Sequence, residues 1–171
     1  MDVGTLVARS MRRYRDRIAV EGPEGSMTYG EIGSRIFQLA RALKNLGLAE
    51  GDRVLDLQSN QNTYIETDLG ISSAGLCRVA LNYRLHPTDW VRITKDCGAK
   101  TLILDAKFWD DAAPVRELVD TIIVIKGDHP GAHNYENFLS KQSSEPLLLA
   151  VNPDALVSLN YSSGTTGNPK G

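Results

Sequence analysis

Several absences narrow what this sequence can be. It has two cysteines in 171 residues, Cys77 and Cys97, which form neither a paired metal motif nor a disulfide framework, as expected of a reducing cytoplasmic protein. There is no run of about 18 apolar residues, so no segment reads as a membrane span. A net charge of −2 gives no overall excess that would favour nucleic acid or an anionic membrane. Internal repeats and low-complexity tracts are also missing. The N-terminus lacks the apolar stretch of a secretory signal, although Arg9, Arg12, Arg13, Arg15 and Arg17 give it the basic character of a mitochondrial presequence. Against that reading stand Asp2, Asp16 and the helical spacing of Val3, Leu6, Val7, Met11 and Tyr14, which predict an amphipathic first helix packed on the domain.

What is present is an ordinary globular composition, 42% hydrophobic and 23% charged, in a chain long enough for one domain with its own core. After the first helix, Ile18 to Val20 and Ser26 to Tyr29 flank a Gly-Pro turn and predict a hairpin. Thr28 and Glu31 match a capping box, and Ile32, Ile36, Leu39, Ala40, Leu43 and Leu46 then share one helical face that ends at Gly47. Strands are expected at Val54 to Leu57, Leu76 to Leu81, Thr101 to Leu104 and Thr121 to Ile125. Helices are expected between them, at Thr63 to Ala74, from Pro87 to Gly98, and over Phe108 to Val119. Residues 126–134 and 140–146 read as loops around a short helical turn at Tyr135 to Leu139, and Ala155 to Tyr161 as a last strand. Alternation of apolar strands with helices predicts an α/β fold, a mainly parallel sheet with helices on both faces and right-handed crossovers.

The chemistry concentrates in the last ten residues, Ser162, Ser163, Gly164, Thr165, Thr166, Gly167, Asn168, Pro169, Lys170 and Gly171. Four hydroxyls, three glycines and a lysine follow the expected strand. Glycines let the backbone approach a bulky anion and direct N–H groups at it, hydroxyls add donors, and lysine adds a point charge. The set suits a polyphosphate. It is not a Walker loop, because Lys170 does not directly follow Gly167 and no Ser or Thr follows the lysine. The residue order also argues against a merely flexible Ser/Thr/Gly tail.

From Tyr161 onward the segment resembles the signature of the adenylate-forming superfamily, which includes acyl-CoA synthetases, coumarate ligases, luciferases and peptide-synthetase adenylation domains. That pattern is an aromatic residue, then Ser/Thr-Ser-Gly-Thr-Thr-Gly-x-Pro-Lys-Gly, and every position matches. Upstream, Met27, Thr28, Tyr29 and Glu31 resemble the family's T-Y-x-E-L helix start, with Ile32 for leucine. Gly51 to Val54 match its G-D-R-V strand start. Leu81, Asn82, Arg84 and Leu85 resemble P-L-N-x-R-L, with Ala80 in place of proline. The resemblance implies the N-terminal part of a large AMP-binding domain: first helix and hairpin in 1–29, an α/β sheet region in 30–161, and a phosphate-binding loop in 162–171.

The reaction so implied joins a carboxylic acid and ATP into an acyl adenylate and pyrophosphate, then passes the acyl group to a thiol, usually coenzyme A. A fatty or aryl acid is the expected substrate. By the resemblance Ser162, Ser163, Gly164, Thr165, Thr166, Gly167 and Lys170 hold the ATP phosphates, Mg²⁺ neutralises them, and none of these residues is a nucleophile. The family's downstream elements (the aromatic-x-x-Thr-Glu segment, the ribose-binding Asp, the hinge and the adenylation Lys of the C-terminal domain) do not occur in the 171 residues. The chain alone is therefore expected to be inactive, with no catalytic or metal-binding residue of its own, an apolar patch prone to self-association, and a loop that is mobile and binds ATP weakly for want of a strand on its far side. The alternatives are a non-catalytic phosphate-binding or assembly fragment, and an adenylation domain loading a carrier protein.

Other residues read more plainly. His129 and His133 flank Pro130 and Gly131, which argues against a helical metal pair; His86 is expected in a turn, and both cysteines as buried small apolar groups. Asp56 and Arg78 interrupt otherwise apolar strands. If those strands pair in parallel, the two charges fall at one height and form a partly buried ion pair, with Glu66 and Asp68 as rival partners for Arg78. Exposure at a sheet edge is the competing reading.

Overall fold

The computed structural model describes residues 2–149, 151–152, 154–163 and 169–171. The chain begins with helix α1 (Val3–Arg13), capped by the Asp2 carboxylate, which accepts from the Thr5 N–H at 2.8 Å. The expected hairpin follows as β1 (Ile18–Gly22) and β2 (Gly25–Thr28), antiparallel, with an irregularity in register between Ile18 and Val20. Helix α2 (Tyr29–Asn45) starts at the capping box that the sequence spells. Glu31 N–H donates to the Thr28 hydroxyl at 3.2 Å while Thr28 N–H donates to the Glu31 carboxylate at 2.8 Å. Gly47, at φ 82°, takes the left-handed turn just beyond the helix end.

Six parallel strands make the main sheet: β3 (Arg53–Leu57), β4 (Cys77–Ala80), β5 (Thr101–Asp105), β6 (Thr121–Ile125), β7 (His133–Asn134) and β8 (Ser158–Leu159), in the spatial order β7-β6-β5-β3-β4-β8. Period-two alternation sends Leu55, Leu57, Val79, Leu102, Leu104 and Val124 to one face. There they pack against α4 (Pro87–Cys97), through Trp90 and Ile93, and against the single turn α5 (Ala113–Arg116). Val54, Ile103, Ile123 and Ile125 face the other way, onto α2, α3 (Asn62–Ser73) and α6 (Tyr135–Ser140). The chain leaves β3 through α3 toward β4, then crosses back through α4 to β5 on β3's other side. That is the doubly wound arrangement the alternation predicted.

Helices α2 and α3 approach closely because residue 70 is glycine; a Cβ there would lie 2.7 Å from Leu39 Cδ2. Polar contacts lock the same layer. The nearly buried Glu66 of α3 accepts from Arg35 Nε at 2.6 Å and from the Tyr135 hydroxyl at 3.0 Å, so one carboxylate ties α2, α3 and α6 together.

Three expectations change. The helix over Phe108 to Val119 shrinks to a 3-10 turn at Ala106–Phe108 and the one-turn α5, because Pro114 has no N–H to continue an α ladder back toward Asp110. The loop 126–134 contains β7, two residues too short to carry a periodicity. The strand expected over Ala155 to Tyr161 is ordered as a strand only at Ser158–Leu159.

Candidate active site at the carboxyl end of the sheet

Strand β8 brings the glycine-rich segment to the carboxyl end of the parallel sheet, the end at which doubly wound folds take ligands. Its backbone is held by β4: Arg78 N–H donates to Val157 O at 3.0 Å, and Arg78 and Val79 pair with Ser158 and Leu159. Beyond Tyr161 the chain forms a second hairpin, β9 (Ser162–Ser163) against β10 (Pro169–Lys170), antiparallel, with Lys170 opposite Ser162 and Pro169 opposite Ser163. The expectation that nothing holds the far side of the loop is thus overturned. Its two ends pair with each other, so Lys170 returns beside Ser162. Of the expected phosphate contacts, Ser162, Ser163 and Lys170 come together at this base, whereas Gly164, Thr165, Thr166 and Gly167 lie outside the described residues.

Two contacts fix the base of the hairpin to the domain. The Tyr161 hydroxyl donates to Asp96 Oδ2 of α4 at 2.5 Å, and burial together with that carboxylate raises the phenol's pKa well above its ordinary value. Gly171 lies against the same ring, where a Cβ would come within 2.9 Å of Tyr161 Cζ. Linear spacing gave no sign of either contact, since Asp96 is 65 positions away. The segment from Tyr161 to Gly171 contains hydroxyls, backbone donors and one lysine but no carboxylate. Such a set fits a polyanion; toward Mg²⁺ it would offer hydroxyl and backbone carbonyl oxygens but no carboxylate.

Directly beneath β8 lies the buried charge pair. Asp56 and Arg78 are 1% and 4% exposed, and Arg78 Nε donates to Asp56 Oδ2 at 2.7 Å. Nη2 is also 2.6 Å from that oxygen, but its angle makes an ionic contact and no hydrogen bond. The two residues are not at one height, as the sequence suggested. Asp56 opposes Ala80 and Arg78 opposes Val54, so the long guanidinium stem spans a two-residue diagonal on the α3 face. Thr67 and Gln58 complete the carboxylate's partners at 2.8 Å and 2.6 Å, and the guanidinium lies 4.2 Å over the Tyr64 ring. Asp68 joins at 3.4 Å as a second, looser partner, while Glu66 is taken by Arg35 and Tyr135.

A polar chain continues outward from this pair. Gln61 donates to Gln58 at 3.0 Å and accepts from Lys126 Nζ at 2.6 Å, and Lys126 also bonds the Glu24 carboxylate. Lys126 follows β6 directly, at φ 59°, a left-handed conformation uncommon for a residue with a side chain. The remaining candidates are structural. The His129 ring stacks on Trp109 with centroids 3.8 Å apart, and the His133 ring lies 5.3 Å from that of Phe138. His86 caps α4, accepting from Thr88 N–H at 3.3 Å. Cys77 and Cys97 are buried, and burial pushes both thiols up.

Fold and candidate site together define a doubly wound α/β domain with a hydroxyl- and glycine-rich segment at the carboxyl end of its sheet. Residues 7–171 match a family described as AMP-binding enzyme, and the chain belongs to that family. It is 33% identical over 153 residues to a 3-hydroxybenzoate–CoA/4-hydroxybenzoate–CoA ligase of Thauera aromatica, an alignment covering 86% of this chain and 29% of that protein. It is 32% identical over 146 residues to a fatty acid–[acyl-carrier-protein] ligase of Streptomyces coeruleorubidus, covering 85% of this chain and 27% of that one. Among solved structures, an anthranilate CoA ligase in complex with anthranoyl-AMP superposes with a TM-score of 0.93 at 27% identity, over 99% of this chain and 34% of the other. The chain therefore spans about a third or less of the proteins it resembles. Among the described residues no helix is long and apolar enough to cross a membrane.

Proposed function

We infer that this chain is the N-terminal portion of the large domain of an ATP-dependent acid–thiol ligase, and that it supplies the grip on the pyrophosphate leaving group when an acid is adenylated. The observation that carries the reading is the pairing of β9 with β10 after β8, which sets Lys170 opposite Ser162 at the carboxyl end of the sheet, with the sequence Gly-Thr-Thr-Gly-Asn between them. Ser162, Ser163, Thr165 and Thr166 donate hydroxyl hydrogens to phosphate oxygens in this reading. Gly164 and Gly167 let the backbone come close, and Lys170 places its ammonium against the same charge. Bound Mg²⁺ supplies further neutralisation. These groups orient and stabilise; they move no proton and form no bond to substrate.

The acid is an aryl or fatty acid, a choice supported by the hydroxybenzoate and fatty-acid specificities of the relatives. Coenzyme A is the acceptor thiol, and the carrier-protein alternative draws support from the fatty acid–carrier-protein relative. Acid-dependent exchange of pyrophosphate into ATP tests the reading at two lengths. The 171 residues alone are expected to give none, and the longer polypeptide that contains them robust exchange with a benzoate or medium-chain fatty acid. A Lys170→Met substitution in the longer protein should lower exchange by about 100- to 1,000-fold, the loss of one charge-stabilising contact to the leaving group. Robust exchange by the 171 residues alone, or none by the longer protein with any acid, would overturn it.

A further inference from the structure

Helix α1 is strongly amphipathic in sequence, yet Gly4 is its only buried residue, and Leu6 remains 41% exposed. Its apolar side borders an open groove of about 390 Å³ whose walls include Leu6, Val7, Met11, Ile36, Ile65 and Leu69. Ile65 is itself 37% exposed, and Ile18 at the start of β1 is 55% exposed. The apolar stripe of α1 is thus only half covered by its own domain.

The other side of the same helix is basic. Arg9, Arg12 and Arg15 line a second open cleft of about 600 Å³, across which lie Pro146 and Leu148, the latter 64% exposed. Arg13 and Arg17 hold their guanidiniums 5.5 Å from the Tyr14 ring centroid, and Tyr14 in turn sits 5.8 Å from Tyr29 on the rim of the apolar groove. All five arginines are exposed, and none has a carboxylate within ion-pair distance among the described residues. Asp2 and Glu31 cap helices and keep their negative charge. With Asp16 beside Arg15 and Glu145 across the cleft they set four carboxylates against the five guanidiniums, none of them paired to an arginine of the ridge. A net charge of −2 for the chain therefore hides a compact basic ridge.

We propose that the α1 ridge is a docking surface for an anionic lipid bilayer. Leu6, Ile18 and Ile65 enter the acyl boundary, while Arg9, Arg12, Arg13, Arg15 and Arg17 contact lipid phosphates. A bilayer accounts for both halves of the surface at once. It offers a negative plane wide enough to meet guanidiniums on both flanks of a helix, and an apolar layer just below for the half-exposed side chains. Tyrosines beside those arginines suit the headgroup depth, where an apolar ring and a polar tip are both satisfied. The proposal is independent of the ligase reading.

Vesicle co-sedimentation tests it, with the 171-residue chain, pure phosphatidylcholine vesicles, and vesicles of equimolar phosphatidylcholine and phosphatidylglycerol. The chain is expected to pellet with the anionic vesicles alone, and less as salt is raised. Replacing Arg9, Arg12 and Arg15 together by Gln should weaken partitioning by roughly 100-fold, about five-fold per charge. Leu6→Gln should weaken it too, with an unchanged circular dichroism spectrum. No pelleting, equal pelleting with neutral vesicles, or a triple variant that binds like the parent would each overturn the proposal. So would a lipid-independent dimer that Leu6→Gln dissociates, which would assign the surface to a second copy of the chain.

Discussion

Asp56 and Arg78 carry full charges inside a sheet whose neighbouring side chains are aliphatic, and the structure shows what makes that tolerable. The carboxylate is bonded to Arg78, Thr67 and Gln58, and the guanidinium is covered by the Tyr64 ring. Removing one member strands the other charge, so Asp56→Leu and Arg78→Val should each cost about 3–5 kcal/mol in urea unfolding. The double variant replaces both by apolar groups and should cost much less than the sum of the two; additive losses would mean that the contact contributes nothing. The sequence singled out both residues, because a charge in an apolar strand is conspicuous. It could not rank Asp68 against Glu66 as partners, because that depends on which way successive residues of α3 face. Nor did it reveal Thr67 and Gln58, ordinary polar residues until the sheet brings them to a carboxylate.

Helix α3 illustrates a cap supplied from elsewhere. Its own N-cap residue, Gln61, makes no side-chain cap bond; instead the carboxylate of Glu24, in the β1–β2 turn, accepts from Asn62 N–H at 2.9 Å and is bonded by Lys126. Those two partners hold the Glu24 carboxyl below its ordinary value, the backbone N–H contributing most. A carboxyl depressed in the folded state adds stability above its unfolded pKa, about 4.3 for glutamate, and that contribution disappears as pH falls through the lower folded value. The urea midpoint should therefore drop below about pH 4, and Glu24→Gln should lower it at pH 7 while flattening that part of the profile. A Glu24→Gln profile parallel to the parent's would remove Glu24 from the account. By contrast the cap of α2 was readable, because Thr28 and Glu31 are three residues apart and satisfy each other locally. A cap drawn from 38 residues upstream leaves no local pattern. Helix α5 is shorter than the helix expected over Phe108 to Val119, Pro114 sitting in its first turn where no ladder can run back through it.

At the scale of the whole molecule, β8 ends the six-stranded order, paired with β4 on one side and, among the described residues, with no strand on the other. Leu148, Leu156 and Val157 are exposed around the approach to it. An open strand edge beside exposed apolar side chains favours association between copies. Light scattering on the 171-residue chain should show mass rising with concentration, and Leu156→Lys, at a position 57% exposed, should reduce it without loss of fold. A clean monomer at high concentration would refute this expectation.

The sequence by itself determined the alternation of strands and helices, the two-faced parallel sheet, the capping box and the order of residues in the phosphate loop. Each of these is carried by spacing along the chain, which local geometry translates directly into structure. Tertiary structure alone decided the diagonal register of Asp56 and Arg78, the borrowed cap from Glu24, the anchoring of Tyr161 on Asp96, and the return of Lys170 beside Ser162. Those contacts join residues up to 65 positions apart, and their partners are chosen by how the layers stack. The same stacking leaves α1, an ordinary packed helix by its periodicity, with its apolar stripe half open between two arginine-lined flanks.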